Sequence, residues 1–263
     1  MIKLQEYNLQ SRKIRMGYVK TLGVVIKEVN TGEADKVITV FSGSCGKISA
    51  YARGARRPKS KLASGTQILG YCEYVLFKGR DMYSVNSCDV IEPFYEIRND
   101  VVKLTYAAHF LDIISDMVQE NQASNRMLQL LLNSLHMLAK TDKQPELIAR
   151  IFELRSLSIA GYAPYAKGCI ECGDENPDGC SFSFRKCGLL CGREACRESD
   201  RYAMELSQGA LKALQHIVYS KTKTLFSFSL SPQVLEELDR LNRRYMREQL
   251  ERDFTKLDFL KSI

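Results

Sequence analysis

Between Tyr18 and about Pro93 the apolar residues recur at alternate positions in short runs, and beyond Pro93 they recur every three to four, so the chain changes period once. The first region reads as strands. Val19 to Val29 alternates loosely, Val37 to Phe41 is β-branched, Lys47 to Arg53 follows a Gly/Ser turn, Ile68 to Phe77 is long and aromatic, and Met82 to Ile91 follows the tight turn Lys78-Gly79-Arg80-Asp81. Five strands in about 75 residues predict a small closed barrel; an OB fold is the leading candidate and an SH3-like barrel the second.

The second region carries helical stripes. Leu104, Ala108, Leu111 and Val118 mark one, Leu128, Leu131, Leu135 and Leu138 another, and Leu147, Ile151, Leu154 and Leu157 a third. Asn99 and Asp100 can cap the first, Pro145 suits the opening turn of the third, and Gly161 and Pro164 stop the run. Two more helices begin at Ser207 and at Ser231-Pro232, and their apolar faces (Leu211, Leu214, Val218; Leu235, Leu238, Leu241) need the earlier helices as cover. The predicted class is therefore α+β and multidomain. Residues 1–97 hold an N-terminal extension and the five-stranded OB-type barrel, and residues 98–263 form an all-α domain with a cysteine-rich insertion at about 165–200. No internal repeat and no low-complexity tract interrupts this plan.

Charge sharpens the picture. The chain has a formal net charge of +7, but residues 1–97 hold 15 Lys and Arg against 9 Asp and Glu, whereas residues 98–263 hold 23 against 22. The excess lies in the barrel-bearing third, as expected of an anion-binding module joined to a balanced body. Within it, Arg53-Gly54-Ala55-Arg56-Arg57-Pro58-Lys59-Ser60-Lys61 puts five cations in nine residues with no carboxylate. Its Gly and Pro keep the backbone out of a helix, so Arg53, Arg56, Arg57, Lys59 and Lys61 face solvent or phosphate. The barrel aromatics Tyr51, Tyr71, Tyr74, Phe77 and Tyr83 are candidates for base stacking, although strand aromatics are more often core residues.

Nine cysteines are an odd number, and six crowd between Cys169 and Cys196, which suits metal ligation in a reducing compartment better than a disulfide framework. Cys169-x2-Cys172, followed after 18 residues by Cys191-x4-Cys196, has the form of two ligand pairs around one structural Zn²⁺ with no open coordination position. Cys180 and Cys187 are alternatives for Cys191 or Cys196. Catalytic chemistry is not expected. His109, His136 and His216 sit far apart in helical stripes, no phosphate-cradling loop, nucleophile elbow or His-Glu-x-x-His occurs, and Glu236, Glu237 and Asp239 read as a solvated helix face. No window approaches the roughly 18 apolar residues of a membrane span, and Met1 to Met16 lacks an apolar leader core, so a cytoplasmic protein is expected.

Several short blocks, in order, resemble the RecO family of bacterial recombination mediators over nearly the whole chain. They are Gly32-Glu33-Ala34-Asp35-Lys36-Val37, Gly46-Lys47-Ile48-Ser49, Gly54-Ala55-Arg56-Arg57-Pro58-Lys59-Ser60, Leu154 to Pro164 leading into Cys169-x2-Cys172-Gly173, and Leu257-Asp258-Phe259-Leu260. The resemblance implies an OB domain, a helical domain with a zinc finger and no enzymatic turnover. It also implies binding to single- and double-stranded DNA, with Lys47 joining the loop cations, and location in the cytoplasm at the nucleoid. The implied protein partners are RecR, single-stranded DNA-binding protein (SSB) and, indirectly, RecA; the implied activity is strand annealing and, with RecR, assistance to RecA in replacing SSB. Two departures stand out: roughly the first eighteen residues precede the family's usual start, and the second cysteine pair is wider than the family's common form, which leaves the fourth ligand open. From the residues alone, an RNA-binding OB protein of the translation or tRNA apparatus is the competing expectation. A zinc-dependent nucleic-acid hydrolase is a third, which four cysteine ligands disfavour.

Overall fold

The computed structural model describes residues 12–15, 17–175 and 179–262. Strand β1 (Arg12–Arg15) lies beside β2 (Tyr18–Thr31), and β2, β3 (Asp35–Ser42), β4 (Gly46–Ala52), β5 (Tyr71–Lys78) and β6 (Tyr83–Glu92) close into a five-stranded barrel. β2 serves two neighbours. Its first half pairs with β5, from Tyr18 opposite Phe77 to Val24 opposite Tyr71, and its second half pairs with β3, from Gly23 opposite Ser42 to Thr31 opposite Asp35. An irregularity between Val25 and Lys27 bends the strand from one partner toward the other. The ring is completed by a parallel pairing of β4 with β6, Ala50 beside Tyr83 and Tyr51 beside Ser84. That join needs a crossover between β4 and β5, which the Greek-key OB barrel has and an up-and-down meander lacks.

Alternation sets the barrel interior. Along β4 buried and half-buried residues alternate without a break, so Ile48, Ala50 and Ala52 enter the core with Val25, Ile38, Val40, Tyr74 and Leu76. β5 begins at Tyr71 and not at Ile68, because Leu69 adopts a left-handed conformation (φ 68°) and its N–H bonds to the Val25 carbonyl outside the ladder.

Short helix α1 (Tyr95–Arg98) leads into α2 (Val101–Met117) and α3 (Asn125–Lys140). Asp100 caps α2 by accepting from the N–H groups of Val102 and Lys103. The chain forms two compact units, and the helices divide between them: α2, α3 and a terminal 3₁₀ turn (Lys256–Ser262) belong with the barrel, while residues 143–255 form the second unit. The α2–α3 connection closes on the β3–β4 turn, where Ser124 donates to the Gly43 carbonyl at 2.8 Å and the Lys47 N–H donates to Gln119 at 3.2 Å.

In the second unit, α4 (Pro145–Ala160) packs against α6 (Gln208–Tyr219) and α7 (Pro232–Leu250). Ser207 and Ser231 cap α6 and α7, each accepting from the backbone N–H three residues on. Between α4 and α6 the cysteine segment forms β7 (Tyr165–Cys169), β8 (Ser181–Ser183), β9 (Gly188–Leu190), α5 (Glu194–Glu198) and β10 (Met204–Glu205), in the sheet order β10-β8-β9-β7. The α4–α7 contact contains a polar cluster. Arg150 is buried and holds Glu153 at 2.9 Å as well as Asp239, and Asn242 donates to the Arg150 carbonyl and to Glu153. Asp239 is therefore not part of a solvated face as its neighbours suggest; it turns inward to a buried guanidinium.

Candidate nucleic-acid interface and four-cysteine site

The basic segment leaves the end of β4 on a rigid footing. Ala52, Gly54 and Ala55 are buried, while Arg53, Arg56, Arg57, Lys59 and Lys61 are all exposed. The backbone is tied at successive points: Arg56 N–H donates to Ala34 at 2.9 Å, Arg57 to Gly54 at 3.1 Å and Ser60 to Arg57 at 3.1 Å. Gly54 has φ 65°, a left-handed turn that costs a glycine nothing and lets the loop fold back over the β2–β3 turn. The five cations make no ion pair or side-chain hydrogen bond among the described residues, so their charges are uncommitted. Exposed cations on a fixed backbone are what a phosphate chain requires.

Asp35 is the anchor that sequence reading missed. Its carboxylate accepts from the Gly54 N–H at 2.6 Å and from the Tyr51 hydroxyl, so one side chain at the start of β3 holds the base of the basic loop. The Gly54 N–H, the Tyr51 hydroxyl and the fields of Arg53 and Arg57 together hold its pKa below the ordinary carboxylate value. A depressed folded-state value means the anchor is fully formed above the unfolded pKa near 3.8 and is lost as pH falls through the lower folded value. Asp35→Ala is accordingly expected to expose the Gly54 amide to hydrogen exchange at neutral pH, with the barrel-core amides still protected; unchanged Gly54 protection would show that the loop is held some other way.

Lys47 stands apart. It lies six residue steps along the chain from Arg53, roughly 20 Å at the usual strand rise, and its ammonium donates to the Ser115 carbonyl in the last turn of α2 at 2.7 Å. The aromatic candidates also separate: Tyr71 and Tyr74 are core residues, the Tyr74 hydroxyl donating to Gly65 at 2.7 Å, whereas Phe77 is exposed.

In the second unit, the thiols of Cys169, Cys172, Cys191 and Cys196 lie within 4.8 Å of one another. Cys169 ends β7, Cys172 lies in the following turn, Cys191 follows β9 and Cys196 sits in α5. The first turn is shaped for ligation: Gly173 has φ 76° and donates to the Cys169 carbonyl at 2.9 Å, while the Cys191 N–H donates to the Cys169 sulfur at 3.3 Å. The sulfurs of Cys172 and Cys191 are 3.7 Å apart. A tetrahedral Zn²⁺ with Zn–S bonds of about 2.3 Å needs sulfurs about 3.8 Å apart, so the donor set fits. Cys180 and Cys187 fall outside the cluster, and Cys187 accepts from the Gln249 amide at 3.4 Å.

The electrostatics agree with that fit. Burial pushes the Cys169 thiol up, but N–H groups from Cys172, Cys191 and Glu171 outweigh it and bring it down to about 6. Burial and the neighbouring sulfurs then push Cys196 up to about 12 and raise Cys191. One thiolate forms easily and the last does not; a divalent cation at the centre removes that repulsion.

Both halves of the chain match family models. A model described as Recombination protein O N terminal covers residues 16–94, and one described as Recombination protein O C terminal covers residues 98–258. The chain belongs to the RecO family. Among its relatives, DNA repair protein RecO of Acetivibrio thermocellus is 59% identical over 248 residues, spanning 94% of this chain and 98% of the relative. The protein of the same name from Alkaliphilus metalliredigens is 33% identical over 246 residues, spanning 93% of this chain and 99% of that one. That from Caldicellulosiruptor saccharolyticus is 34% identical over 248 residues, spanning 94% and 100%. The basic loop thus falls within the RecO N-terminal match and all four clustered cysteines within the RecO C-terminal match, whereas β1 precedes both.

The histidines form no constellation: His109 is buried in α2, His136 is half-buried in α3, and His216 in α6 bonds through Nε2 to the Thr224 carbonyl at 2.9 Å. Among the described residues no helix is long and apolar enough to cross a membrane.

Proposed function

We propose that this protein is a non-enzymatic recombination mediator of the cytoplasm and nucleoid that binds DNA through its basic barrel loop. It anneals complementary strands and, together with RecR, helps RecA to load onto single strands coated by SSB. Membership in the RecO family and the name shared by its relatives support the recombinational-repair role. The observation that carries the DNA-binding part is the loop itself, five exposed and unpaired cations on a backbone fixed by Asp35. Arg53, Arg56, Arg57, Lys59 and Lys61 contact phosphates without reading bases, and Lys47, whose ammonium already holds a helix carbonyl, is a secondary contact. Functionally, residues 1–97 carry the nucleic acid and residues 98–263 form the body, whose insertion at about 165–200 is fixed by one structural zinc on Cys169, Cys172, Cys191 and Cys196. The zinc supplies cross-linking and no reaction step, because four thiolates leave it no open position.

Salt dependence tests the reading. Four or five phosphate contacts give a log–log salt slope of about −3 to −3.5 for single-stranded DNA, taking ~0.7 per phosphate. The double variant Arg56→Ala/Arg57→Ala should flatten the slope by about 1.4 and weaken all sequences alike. An unchanged slope would reduce the loop to a solubility feature. Parallel titrations with single-stranded DNA and RNA of equal length, and annealing of SSB-coated strands without ATP, separate this reading from an RNA-binding role; strong preference for RNA with no annealing would favour the latter.

A further inference from the structure

The four clustered cysteines are not equivalent toward solvent. Cys169, Cys191 and Cys196 are buried, at 1%, 2% and 5% exposure, whereas Cys172 stands in an exposed turn with Ile170, Glu171 and Gly173. Among the described residues Cys172 is the only exposed cysteine of the chain: Cys72 and Cys180 are buried, and Cys45, Cys88 and Cys187 are half-buried. A dissolved reagent that attacks sulfur therefore meets Cys172 first.

The surroundings of the turn favour reaction there. Two cations reach it, Lys186 through Glu171 and Arg193 through Asp174 at 2.9 Å. Their charge favours an anionic sulfur, while partly exposed pairs of this kind hold the turn only weakly. The turn also has room to shift, since a Cβ at Gly173 would meet nothing within 4 Å. A second sulfur waits below it: that of Cys191 lies 3.7 Å from that of Cys172, on a residue fixed by the bond from its N–H to the Cys169 sulfur at 3.3 Å.

We infer that Cys172 is an oxidation site with Cys191 as its resolving partner, so that a two-electron oxidant of the peroxide class converts the pair to a disulfide and opens the metal site. The Cys172 thiolate attacks one peroxide oxygen, the O–O bond breaks, and the other oxygen leaves as hydroxide and takes up a proton. The Cys191 thiolate then attacks the sulfur of the sulfenic acid so formed, the S–O bond breaks, and a second hydroxide is protonated to water. Two sulfurs have lost two electrons and one peroxide has become two waters; Zn²⁺ has no redox chemistry and keeps its charge. The sulfurs must close from 3.7 Å to about 2.05 Å, which an exposed turn with free space around it can do. Cys169 and Cys196 are then left as half of a tetrahedral donor set, too few to retain the cation. A thiol reductant reverses the exchange and restores the four-sulfur site. The inference rests on the structural-zinc reading and adds to it a clasp that opens under oxidation, whereas the barrel exposes no thiol among the described residues.

The test treats the full-length, zinc-loaded protein with hydrogen peroxide, follows released zinc with a chromogenic chelator, and maps the disulfide by peptide mass after the free thiols are trapped. About one zinc is expected to be released per disulfide formed. The disulfide should map to Cys172 and Cys191, and dithiothreitol with added zinc should restore the starting metal content. Cys172→His supplies a nitrogen ligand of the kind structural sites use, so it should hold zinc and lose the peroxide-driven release, while Cys187→Ser should release zinc as the wild type does. Zinc retained under peroxide, equal release from Cys172→His, or a disulfide that maps to Cys180 or Cys187 would overturn the inference and leave the structural zinc standing. Wild-type protein that holds no zinc before oxidation would overturn both. Should Cys172→His fail to hold zinc, the position of the disulfide in the wild type decides.

Discussion

Cys169→Ser is expected to abolish zinc binding and loosen the insertion between α4 and α6, while the barrel keeps most of its DNA affinity. Phe182 and Phe184 tie the β8 side of the insertion to α7 through Tyr245, but the part that carries the thiols has little apolar support: its strands are five, three, three and two residues long, α5 has five residues, and the buried cluster at the site consists of Cys169, Leu190, Cys191 and Cys196 with Ala203 packed against it. Structural zinc in such small modules supplies about 10–16 kcal/mol of apparent binding energy, far more than so small a core can. Metal analysis should find about one zinc per chain in the wild-type protein. It should find zinc lost in Cys169→Ser and retained in Cys187→Ser, since Cys187 lies outside the thiol cluster. Thiol reactivity should rise at Cys172, Cys191 and Cys196 together once one ligand is gone. Metal-free wild-type protein with an intact insertion would refute the structural role, and stoichiometric zinc in Cys196→Ser would move the fourth ligand elsewhere.

The sequence made the barrel and the helical stripes legible because both rest on local periodicity. β4 shows this well: Ile48, Ala50 and Ala52 alternate with polar neighbours, and they are the residues that face the core. Capping was equally readable at Asp100, Ser207 and Ser231, where a side chain and a backbone N–H two or three residues away decide the outcome. Long-range features were not. Nothing local marks Asp35 as the anchor of a loop that begins eighteen residues later, since the contact exists only after β3 and β4 pair. The aromatic candidates divided for a similar reason: Tyr74 and Phe77 both lie in β5, and the odd spacing between them puts one inside the barrel and the other outside. The sequence also carried no signal that α2 and α3 would join the barrel's unit while α4 joined the other, because all three stripes look alike until their partners are known. The four-cysteine cluster was readable from spacing, and the geometry separated it from Cys180 and Cys187.

Arg150→Met is expected to destabilise the second unit by about 3–5 kcal/mol without altering DNA affinity at equal folded fraction. Side-chain exposure is 2% for Arg150 and 3% for Glu153, so neither charge has water as an alternative partner. The guanidinium bridges Glu153 on its own helix and Asp239 on α7, and Asn242 of α7 returns to both the Arg150 carbonyl and Glu153. Removing the cation leaves Glu153 ionised in a dry contact, where the cost is the desolvation of a lone charge and not the loss of one favourable pair. Asp239 suffers less, because it is partly exposed and also accepts from Arg243 at 2.9 Å. The double variant Arg150→Met/Glu153→Gln removes the stranded charge yet keeps an acceptor for Asn242, so it should recover a large part of the loss. Urea denaturation followed through the helical signal would measure both. If the double variant were no more stable than Arg150→Met, the cost would lie in lost packing of the arginine stem, and if Arg150→Met were as stable as the wild type, the buried cluster would contribute to neither stability nor helix pairing.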